Sequence, residues 1–436
     1  MVQKLLFNLA EFNAFECNNL SDTRSGCFVD NMKLPVHRWF RYSAGFSAEW
    51  VRTLLRERKI SGTKKIILDP FAGIATTLVA CNTENVKSFG FESHPFVFKL
   101  ANAKLSAYSH SAAELTKIFS DFEKQLDKYH GAIPTTFPTL MQKCYCEKHL
   151  LELYKMKSLL ENSPWAHDAS LMIWFAITAI LRSCSHVGTA QWQYVLPNKT
   201  KSRVLTPISA FQEKSAQIIE DTDSLHGANT TNRAVISLTD ARGSSALADN
   251  SIDFVITSPP YPNNYDYADA TRLEMTFWGE IQGWSDLHSA VRTHLLCSCT
   301  QHATAERIQL EELLNEPLLS PIYPEIYDAC TKLSEIRLQK GGKKSYHIMI
   351  ASYFKDLALV FRHLRRVCRK DAEMCFVIGD SAPYGIYIPV ERWLGELAIS
   401  AGFISYRFEK IRDRNIKWKN RKHDVPLKEG RLWIQG

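Results

Sequence analysis

Long apolar runs are missing from this 436-residue sequence. A membrane-spanning helix needs about 18 or more consecutive apolar residues, and no segment reaches that length. No basic and apolar leader opens the chain, so we expect neither secretion nor membrane insertion. The 11 cysteines are scattered instead of forming a disulfide framework, which favours reduced thiols in a cytosol.

Metal-binding motifs and repeats are missing as well. The two Cys-x-Cys pairs, at 144–146 and 297–299, lack the spacing of zinc ligands, although His149, His294 and His302 lie nearby. We therefore expect no metal. Internal repeats and low-complexity tracts do not occur, which excludes solenoid and fibrous architectures.

The composition is that of a globular protein larger than one typical domain. Hydrophobic residues make up 45% of the chain, enough for a sizeable core, and the length predicts one large domain with an inserted piece. The net charge of +7 and the pI of about 8.7 indicate a mild preference for polyanionic partners.

The stretch Thr257-Ser258-Pro259-Pro260-Tyr261 follows a strand-like apolar run, 253–256. Two consecutive prolines cannot continue a hydrogen-bonded ladder, so the chain leaves the sheet here. They also fix two φ angles and leave rigid carbonyl acceptors ahead of an aromatic ring. This arrangement suits a clamp for a flat group that carries an NH₂. An ordinary strand ending in a Pro-Pro turn is the alternative.

A second stretch has the form of a cofactor loop. An apolar run, Ile66 to Leu68, leads into the small residues of 69–77 and then into a helix-like segment, as in doubly wound sheets that present backbone N–H groups to a ligand. The next strand ends in Glu92, the position that grips ribose hydroxyls in nucleoside-binding sheets. The loop is not GxGxxG, so a dinucleotide is not expected.

DPFAGIATT (69–77), VKSFGFESHPF (86–96) and TSPPY (257–261) together resemble the DNA methyltransferases that methylate exocyclic amino groups, cytosine N4 or adenine N6. The resemblance implies an α/β, Rossmann-like doubly wound sheet and S-adenosylmethionine as cofactor. It also implies that the first motif holds the methionine part of the cofactor, that Glu92 holds its ribose and that Asp240 holds its adenine amino group. The residues so implied in cofactor binding are Asp69, Pro70, Phe71, Ala72, Gly73, Thr76, Thr77, Glu92, Asp240 and, in the segment before the motif, Phe46. Those implied in base binding and catalysis are Ser258, Pro259, Pro260 and Tyr261.

Two features depart from the family pattern. Ala75 stands where the family usually has glycine; a left-handed alanine would cost about 1 kcal/mol, a cost that a negative φ would avoid. The cofactor motif precedes the catalytic motif by a long interval, whereas many members have the reverse order. Fold and chemistry therefore transfer better than a subgroup label.

The chain divides into an N-terminal arm, a methyltransferase domain in two parts and two insertions. Predicted bounds are 1–30 for the arm, 31–95 and 229–436 for the two parts, 96–228 for a helical insertion and 280–345 for a smaller one. Helical spacing predicts helices from Ser47 to about Arg58 and from Tyr346 to Lys370. The larger insertion either reads DNA or only buries apolar helix faces.

The resemblance implies double-stranded DNA as the partner. Positive charge accumulates in a loop at 340–344 and in the tail from 405 onward, which suits a nucleic-acid surface. The predicted phosphate contacts are Lys343, Lys344, Arg412, Arg414, Lys417, Lys419 and Arg421. The resemblance implies a restriction-modification or related defence role in a bacterial or archaeal cytosol, close to the nucleoid. We expect a monomer.

Several chemistries are compatible with the motif. Carbon-5 methylation of cytosine would need a cysteine nucleophile, and no Pro-Cys pair occurs. Serine at the first position of the tetrapeptide favours cytosine N4, because family members with aspartate there more often methylate adenine N6. The alternatives are adenine N6 in DNA, a base amine in RNA, and a non-catalytic DNA-binding module derived from a methyltransferase.

Overall fold

The computed structural model describes residues 28–42, 45–189, 195–227, 233–263, 265–303, 309–342, 344–414 and 425–436. The predicted arm, 1–30, lies almost entirely outside the described residues. None of the helices in the described parts combines the length and the apolar character that crossing a membrane requires.

A seven-stranded sheet forms the centre of the described structure, and its order is β5-β2-β1-β6-β7-β9-β8. The five strands from β5 to β7 are parallel, whereas β9 pairs antiparallel with both β7 and β8. A short antiparallel hairpin, β3 with β4, lies apart. The strands are β1 (Ile66–Asp69), β2 (Lys87–Glu92), β3 (Val187–Thr189), β4 (Val195–Thr200), β5 (Ala234–Leu238), β6 (Ile252–Thr257), β7 (Cys368–Gly379), β8 (Ser405–Arg414) and β9 (Leu427–Gln435).

The central strands are apolar because both faces of the sheet are covered. Ile67, Leu68, Val255 and Ile256 are fully buried, as expected of parallel strands between helical layers. The parallel strands run in the doubly wound order, with a reversal between β1 and β6. The predicted α/β doubly wound fold is therefore confirmed.

Helices cover the two faces of the sheet and build the insertions. Ser47 caps the first helix, where its hydroxyl accepts a hydrogen bond from the Trp50 N–H at 3.2 Å. The helices are α1 (Ala48–Glu57), α2 (Thr76–Thr83), α3 (Pro95–Ser106), α4 (Ala112–Asp127), α5 (Thr139–Cys144), α6 (Glu147–Asn162), α7 (His167–Cys184), α8 (Pro207–Gly227), α9 (Arg272–Trp278), α10 (Thr300–Ala303), α11 (Leu310–Leu314), α12 (Tyr323–Gln339), α13 (Tyr346–Val367) and α14 (Val390–Ser400).

Both insertions lie between strands of the same sheet. The region 96–228 contributes most of α3 and all of α4 to α8 between the neighbouring strands β2 and β5, and 280–345 contributes α10 to α12 between β6 and β7. One continuous apolar cluster joins Leu78 beside β1 with Phe122 and Ile173 of the larger insertion. That insertion is therefore packed on the central sheet and its helices.

Two predicted elements differ from those observed. Helix α13 ends at Val367, three residues before the predicted Lys370, because Cys368 is already paired with Ile252 in the sheet. The basic tail forms β8 and β9, two antiparallel strands that the sequence did not predict.

Candidate active-site cleft

A cleft opens at the carboxyl ends of β1, β2 and β6, where the strand order reverses. It encloses about 870 Å³ of empty space, part of it open to solvent, and lies at the switch point where doubly wound sheets bind ligands. Both motifs contribute to it. The lining residues are Tyr42, Gly45, Phe46, Pro70, Phe71, Ala72, Gly73, Ile74, Thr76, Phe91, Glu92, Ser93, His94, Asp240, Ala241, Arg242, Ser258, Pro260, Tyr267, Leu295, Leu296, Ser298 and Val360.

Asp69 lies behind this cleft, with only 1% of its surface exposed. Its carboxylate accepts hydrogen bonds from the hydroxyls of Thr77 at 2.5 Å and Thr257 at 2.6 Å, and from the Phe71 N–H at 3.0 Å. Burial raises the pKa of Asp69 to about 6, although these bonds act in the opposite direction. Neither Asp69 nor Thr77 is in the cleft lining, so Asp69 ties the cofactor loop to the strand that carries the catalytic motif.

The loop between β1 and α2 has two residues with positive φ. Gly73 has φ +53° and Ala75 has φ +67°, so the negative φ that would avoid strain at Ala75 is not observed. The methyl group of Ala75 is fully buried, which offsets the cost of about 1 kcal/mol of a left-handed alanine. A buried amine also holds the loop, since Lys104 Nζ donates to the Ile74 carbonyl at 3.0 Å.

Glu92 joins two parts of the cleft wall. One carboxylate oxygen accepts from the Gly73 N–H at 2.8 Å and the other from the His94 N–H at 2.7 Å. Burial raises its pKa to about 7, against the effect of these two bonds. Each oxygen keeps a second lone pair, so Glu92 can still accept hydrogen bonds from a ligand's hydroxyls.

His94 adds a polar group to the cleft that the sequence motifs did not identify. Its ring is 2% exposed, and Nε2 lies 3.0 Å from the Thr271 hydroxyl. Burial lowers the pKa of His94 to about 3, so the ring is neutral. Within the described residues, Nδ1 has no hydrogen-bond partner, as expected of an atom that meets a ligand.

Asp240 borders the cleft in contact with a second charged residue, Arg242. The Arg242 guanidinium donates to both Asp240 oxygens, at 2.6 to 3.1 Å, and to Asp356 at 3.0 Å. Burial acts to lower the pKa of Arg242, but Asp240 and Asp356 raise it overall. A ligand amine at Asp240 would therefore share its carboxylate with Arg242.

The catalytic motif directly follows β6 and contacts β7. The Ser258 hydroxyl donates to the Val377 carbonyl at 3.1 Å, which leaves its oxygen lone pairs to accept from a substrate. Ser258 and Pro260 line the cleft, whereas Pro259 and Tyr261 are outside the lining. The guanidinium carbon of Arg414 lies 5.0 Å from the centre of the Tyr261 ring.

A buried charge cluster fixes the loop after the motif. Arg292 donates to Asp266 at 3.0 and 2.5 Å, and Nε2 of His302 lies 3.6 Å from the same carboxylate. Asp266, Cys299 and His302 place their potential metal ligand atoms within 4.8 Å of one another. Burial acts to lower the pKa of His302, but Asp266 and Cys299 raise it to about 10. These contacts form a buried network of charged groups around Asp266.

The predicted DNA contacts occupy different environments. Arg412 pairs with Glu429 at 2.7 Å, Arg414 is largely buried, and Lys344 donates to the Tyr346 hydroxyl at 3.2 Å. Four of the seven, Lys343, Lys417, Lys419 and Arg421, lie outside the described residues. Arg414 of β8 pairs with Leu427 of β9, and Gly379 of β7 pairs with Glu429, two residues further along β9. The last residues of β7 and β8 therefore lie on the same side of the sheet as the catalytic motif.

Several lining residues were missed from the sequence. Tyr42 and Tyr267 lie in aromatic segments near each motif, and Arg242 follows Asp240 by two residues, so proximity along the chain could have identified them. Leu295 and Ser298 come from the smaller insertion, and their residue types carry no local signal.

Comparison with known proteins identified relatives along most of the chain. The Type II methyltransferase M.BsoBI of Geobacillus stearothermophilus is 27% identical over 423 residues, covering 88% of this chain and 82% of its own. The Type II methyltransferase M.AvaI of Nostoc is 25% identical over 412 residues, covering 86% and 80%. No protein-family model matches. The predicted resemblance to methyltransferases is confirmed by these relatives.

A comparison of structures returned the rRNA methyltransferase aviRa of Streptomyces viridochromogenes. It is 9% identical, with a TM-score of 0.30 over 96% of this chain and 94% of that one. A TM-score this low adds nothing to the fold assignment, which rests on the strand order.

Proposed function

We propose that this chain, whose relatives are Type II methyltransferases, transfers a methyl group from S-adenosylmethionine to the exocyclic amine of a DNA base. The observation that carries the proposal is that the cofactor loop and the catalytic motif line one cleft: Gly73 and Glu92 form one part of its wall, and Ser258 and Pro260 another. A cleft shared in this way brings a methyl donor and an amine into direct contact.

S-adenosylmethionine is the methyl donor, and the side chains that line the cleft suit its binding. Glu92 and Asp240 follow neighbouring strands and offer carboxylates to ribose hydroxyls and an adenine amine. Phe71 and Leu296 supply apolar contacts, and the unpartnered Nδ1 of His94 offers a further polar contact. When bound, this group supplies an electrophilic methyl group on a positively charged sulfur.

The residues of the motif would hold the target amine for direct transfer. An amine that accepts the methyl group must be presented with its lone pair free, and the Ser258 oxygen and the Pro259 carbonyl are acceptors for its two hydrogens. Because the base is paired in a duplex, it must be flipped out, which costs a few kcal/mol. Tyr261 is the ring on which the flipped base would stack. As the amine nitrogen gains the methyl group, the bond from the methyl carbon to sulfur would break, and the amine would then lose one of its two protons to solvent. Positioning and electrostatics then account for catalysis without a covalent intermediate.

Cytosine N4 is the favoured target. Serine, not aspartate, stands at the first position of the motif, and a hydroxyl offers a different charge and donor capacity to the amine and its neighbouring ring nitrogen. Mass analysis of nucleosides from DNA of cells that produce the protein tests this. N4-methylcytosine is expected. N6-methyladenine alone would overturn the assignment of cytosine as the target base. The absence of both modified nucleosides would contradict DNA methylation.

Duplex DNA is the proposed partner, and restriction-modification in a bacterial or archaeal cytoplasm is the proposed setting, supported by the Type II description of the relatives. A monomer is proposed, with 31–95 and 229–436 as the two parts of the catalytic domain, 96–228 and 280–345 as insertions and 1–30 as an arm.

Methyl incorporation into duplex DNA and into RNA, measured side by side, separates this function from RNA methylation. Cofactor titration separates it from a non-catalytic module.

A further inference from the structure

Arg414 has an environment that does not suit a phosphate ligand. Its side chain is only 16% exposed, Nη1 donates to the Asp380 carbonyl at 2.8 Å, and Nε lies 3.8 Å from the Glu429 carboxylate. The guanidinium also covers the Tyr261 ring at 5.0 Å. Phosphate contacts come from exposed cations that release counterions. Arg414 is instead engaged by three groups of the protein itself.

The end of β7 is shaped to accommodate this contact. A Cβ atom at Gly379 would lie 2.6 Å from Arg414 Nη1 and 3.1 Å from Tyr261 Cε2, closer than real Cβ atoms approach in the first case. A side chain at residue 379 would therefore displace the end of the Arg414 side chain from its place against the backbone. The ends of β6, β7 and β8 meet there, and Arg414 connects the last of these strands to the catalytic motif.

We propose that Arg414 is a positioning residue that supports one face of Tyr261 and leaves the other face for the flipped base, an inference that rests on the proposed function. A guanidinium lies flat on an aromatic ring, and the attraction grows when water is excluded. The residues that follow in the sequence, 415–424, include four Lys or Arg. Arg414 therefore also links the predicted DNA-binding segment to the ring that receives the base.

Turnover separates this role from a phosphate contact. We expect Arg414→Met to lower kcat at saturating DNA on the order of tenfold or more, with the KM for cofactor unchanged, because a misplaced stacking ring misplaces the amine. Arg414→Lys should restore only part of kcat, since an ammonium cannot lie flat on the ring. Lys410→Met is the control: Lys410 lies on the same strand, is exposed and pairs with Asp413, and its loss should leave kcat unchanged.

The salt dependence of DNA affinity provides the opposing outcome. Arg414→Met should keep the slope of the parent protein; a slope reduced by about one with normal kcat would identify a phosphate contact and overturn the proposal. Base flipping gives a second readout. With 2-aminopurine at the mapped target position, Arg414→Met should lose the fluorescence increase of the parent, and an unchanged increase would contradict the inference.

A test without DNA keeps this inference distinguishable from the proposed function. If the parent protein transfers no methyl group to DNA, the proposed function fails, but the Arg414–Tyr261 contact can still be measured. In urea unfolding, Arg414→Met and Tyr261→Leu should each raise the unfolding equilibrium constant by some factor. The factor measured for the double variant should be smaller than the product of these two factors, because both substitutions remove the same contact. Independent effects would show that the contact does not support the ring.

Discussion

Glu92 is the residue at which cofactor binding is most directly testable. Its carboxylate accepts hydrogen bonds from the Gly73 and His94 N–H groups and lines the cleft, so its removal would affect the proposed ribose contacts and the loop together. We expect Glu92→Ala to weaken cofactor affinity by about 1.5–3 kcal/mol per charge-assisted hydrogen bond lost. Calorimetric titration measures this, with Glu57→Ala, exposed at the end of α1, as control. Unchanged affinity in Glu92→Ala would contradict the assignment.

The buried amine of Lys104 should make the stability of the protein depend on pH. Its amine is fully buried beneath the cofactor loop, and burial lowers its pKa from 10.5 to about 7. Between these two values the unfolded chain binds the proton and the folded chain does not, so this residue makes stability rise with pH across that window. Below pH 7 the folded and the unfolded states both bind the proton, so the contribution of Lys104 to the unfolding free energy no longer changes with pH.

Lys104→Met should remove that dependence. We expect the difference in unfolding free energy between parent and variant to shift in favour of the parent as the pH rises from 7 to 10.5, measured by urea denaturation. Other titrating groups are common to both proteins and cancel in the difference. A difference that is constant over this range would show that the Lys104 pKa is near its ordinary value.

At the scale of elements, apolar strands were predictable and polar ones were not. The strands β1 and β6 are recognisable because burial on both faces favours continuous apolar runs. Strand β8 is an edge strand whose residues alternate between charged and aromatic, a pattern that also suits a nucleic-acid surface. Its pairing with β9 depends on contacts that local sequence does not encode.

The same distinction applies to the site. The stretches 69–77 and 257–261 could be proposed as cofactor loop and catalytic motif because each has particular residue types in a fixed order, and residues of both line one cleft. Leu295 and Ser298 enter the cleft only through the packing of the smaller insertion, and Arg414 reaches Tyr261 only because β8 joins the sheet. Long-range contacts of this kind have no signature in the segment that provides them.

The hairpin formed by β8 and β9 yields a prediction about DNA affinity. Arg412 lies near the end of β8, on the side of the sheet where the catalytic motif lies. Lys417, Lys419 and Arg421 follow it in the sequence. Replacing these four with Gln while keeping Arg414 should reduce the dependence of DNA affinity on salt, because fewer counterions are released. Fluorescence anisotropy at several salt concentrations measures the slope. Lys332→Gln, exposed on α12, is the control, and an unchanged slope in the fourfold variant would identify these residues as ordinary surface.

At the scale of the whole molecule, the packing predicts a single cooperative unit. One apolar cluster runs from the cofactor loop through the larger insertion, and a second joins the smaller insertion to β7 and α13. Among the described residues, the apolar residues of each insertion belong to clusters that also contain residues of the sheet or of its covering helices. Local opening of an insertion would therefore expose apolar surface of the sheet as well, which favours unfolding in one step.

Cofactor binding should accordingly stabilise the entire chain. A ligand that binds only the folded state at about 100 times its Kd adds roughly 2.7 kcal/mol to the stability. We expect calorimetry to show one unfolding transition that S-adenosylmethionine shifts as a whole to higher temperature. The shift should be reduced in Glu92→Ala, which weakens the ligand without removing apolar contacts between insertion and sheet. Two transitions, with only one of them responding to the cofactor, would show that an insertion unfolds independently of the cleft.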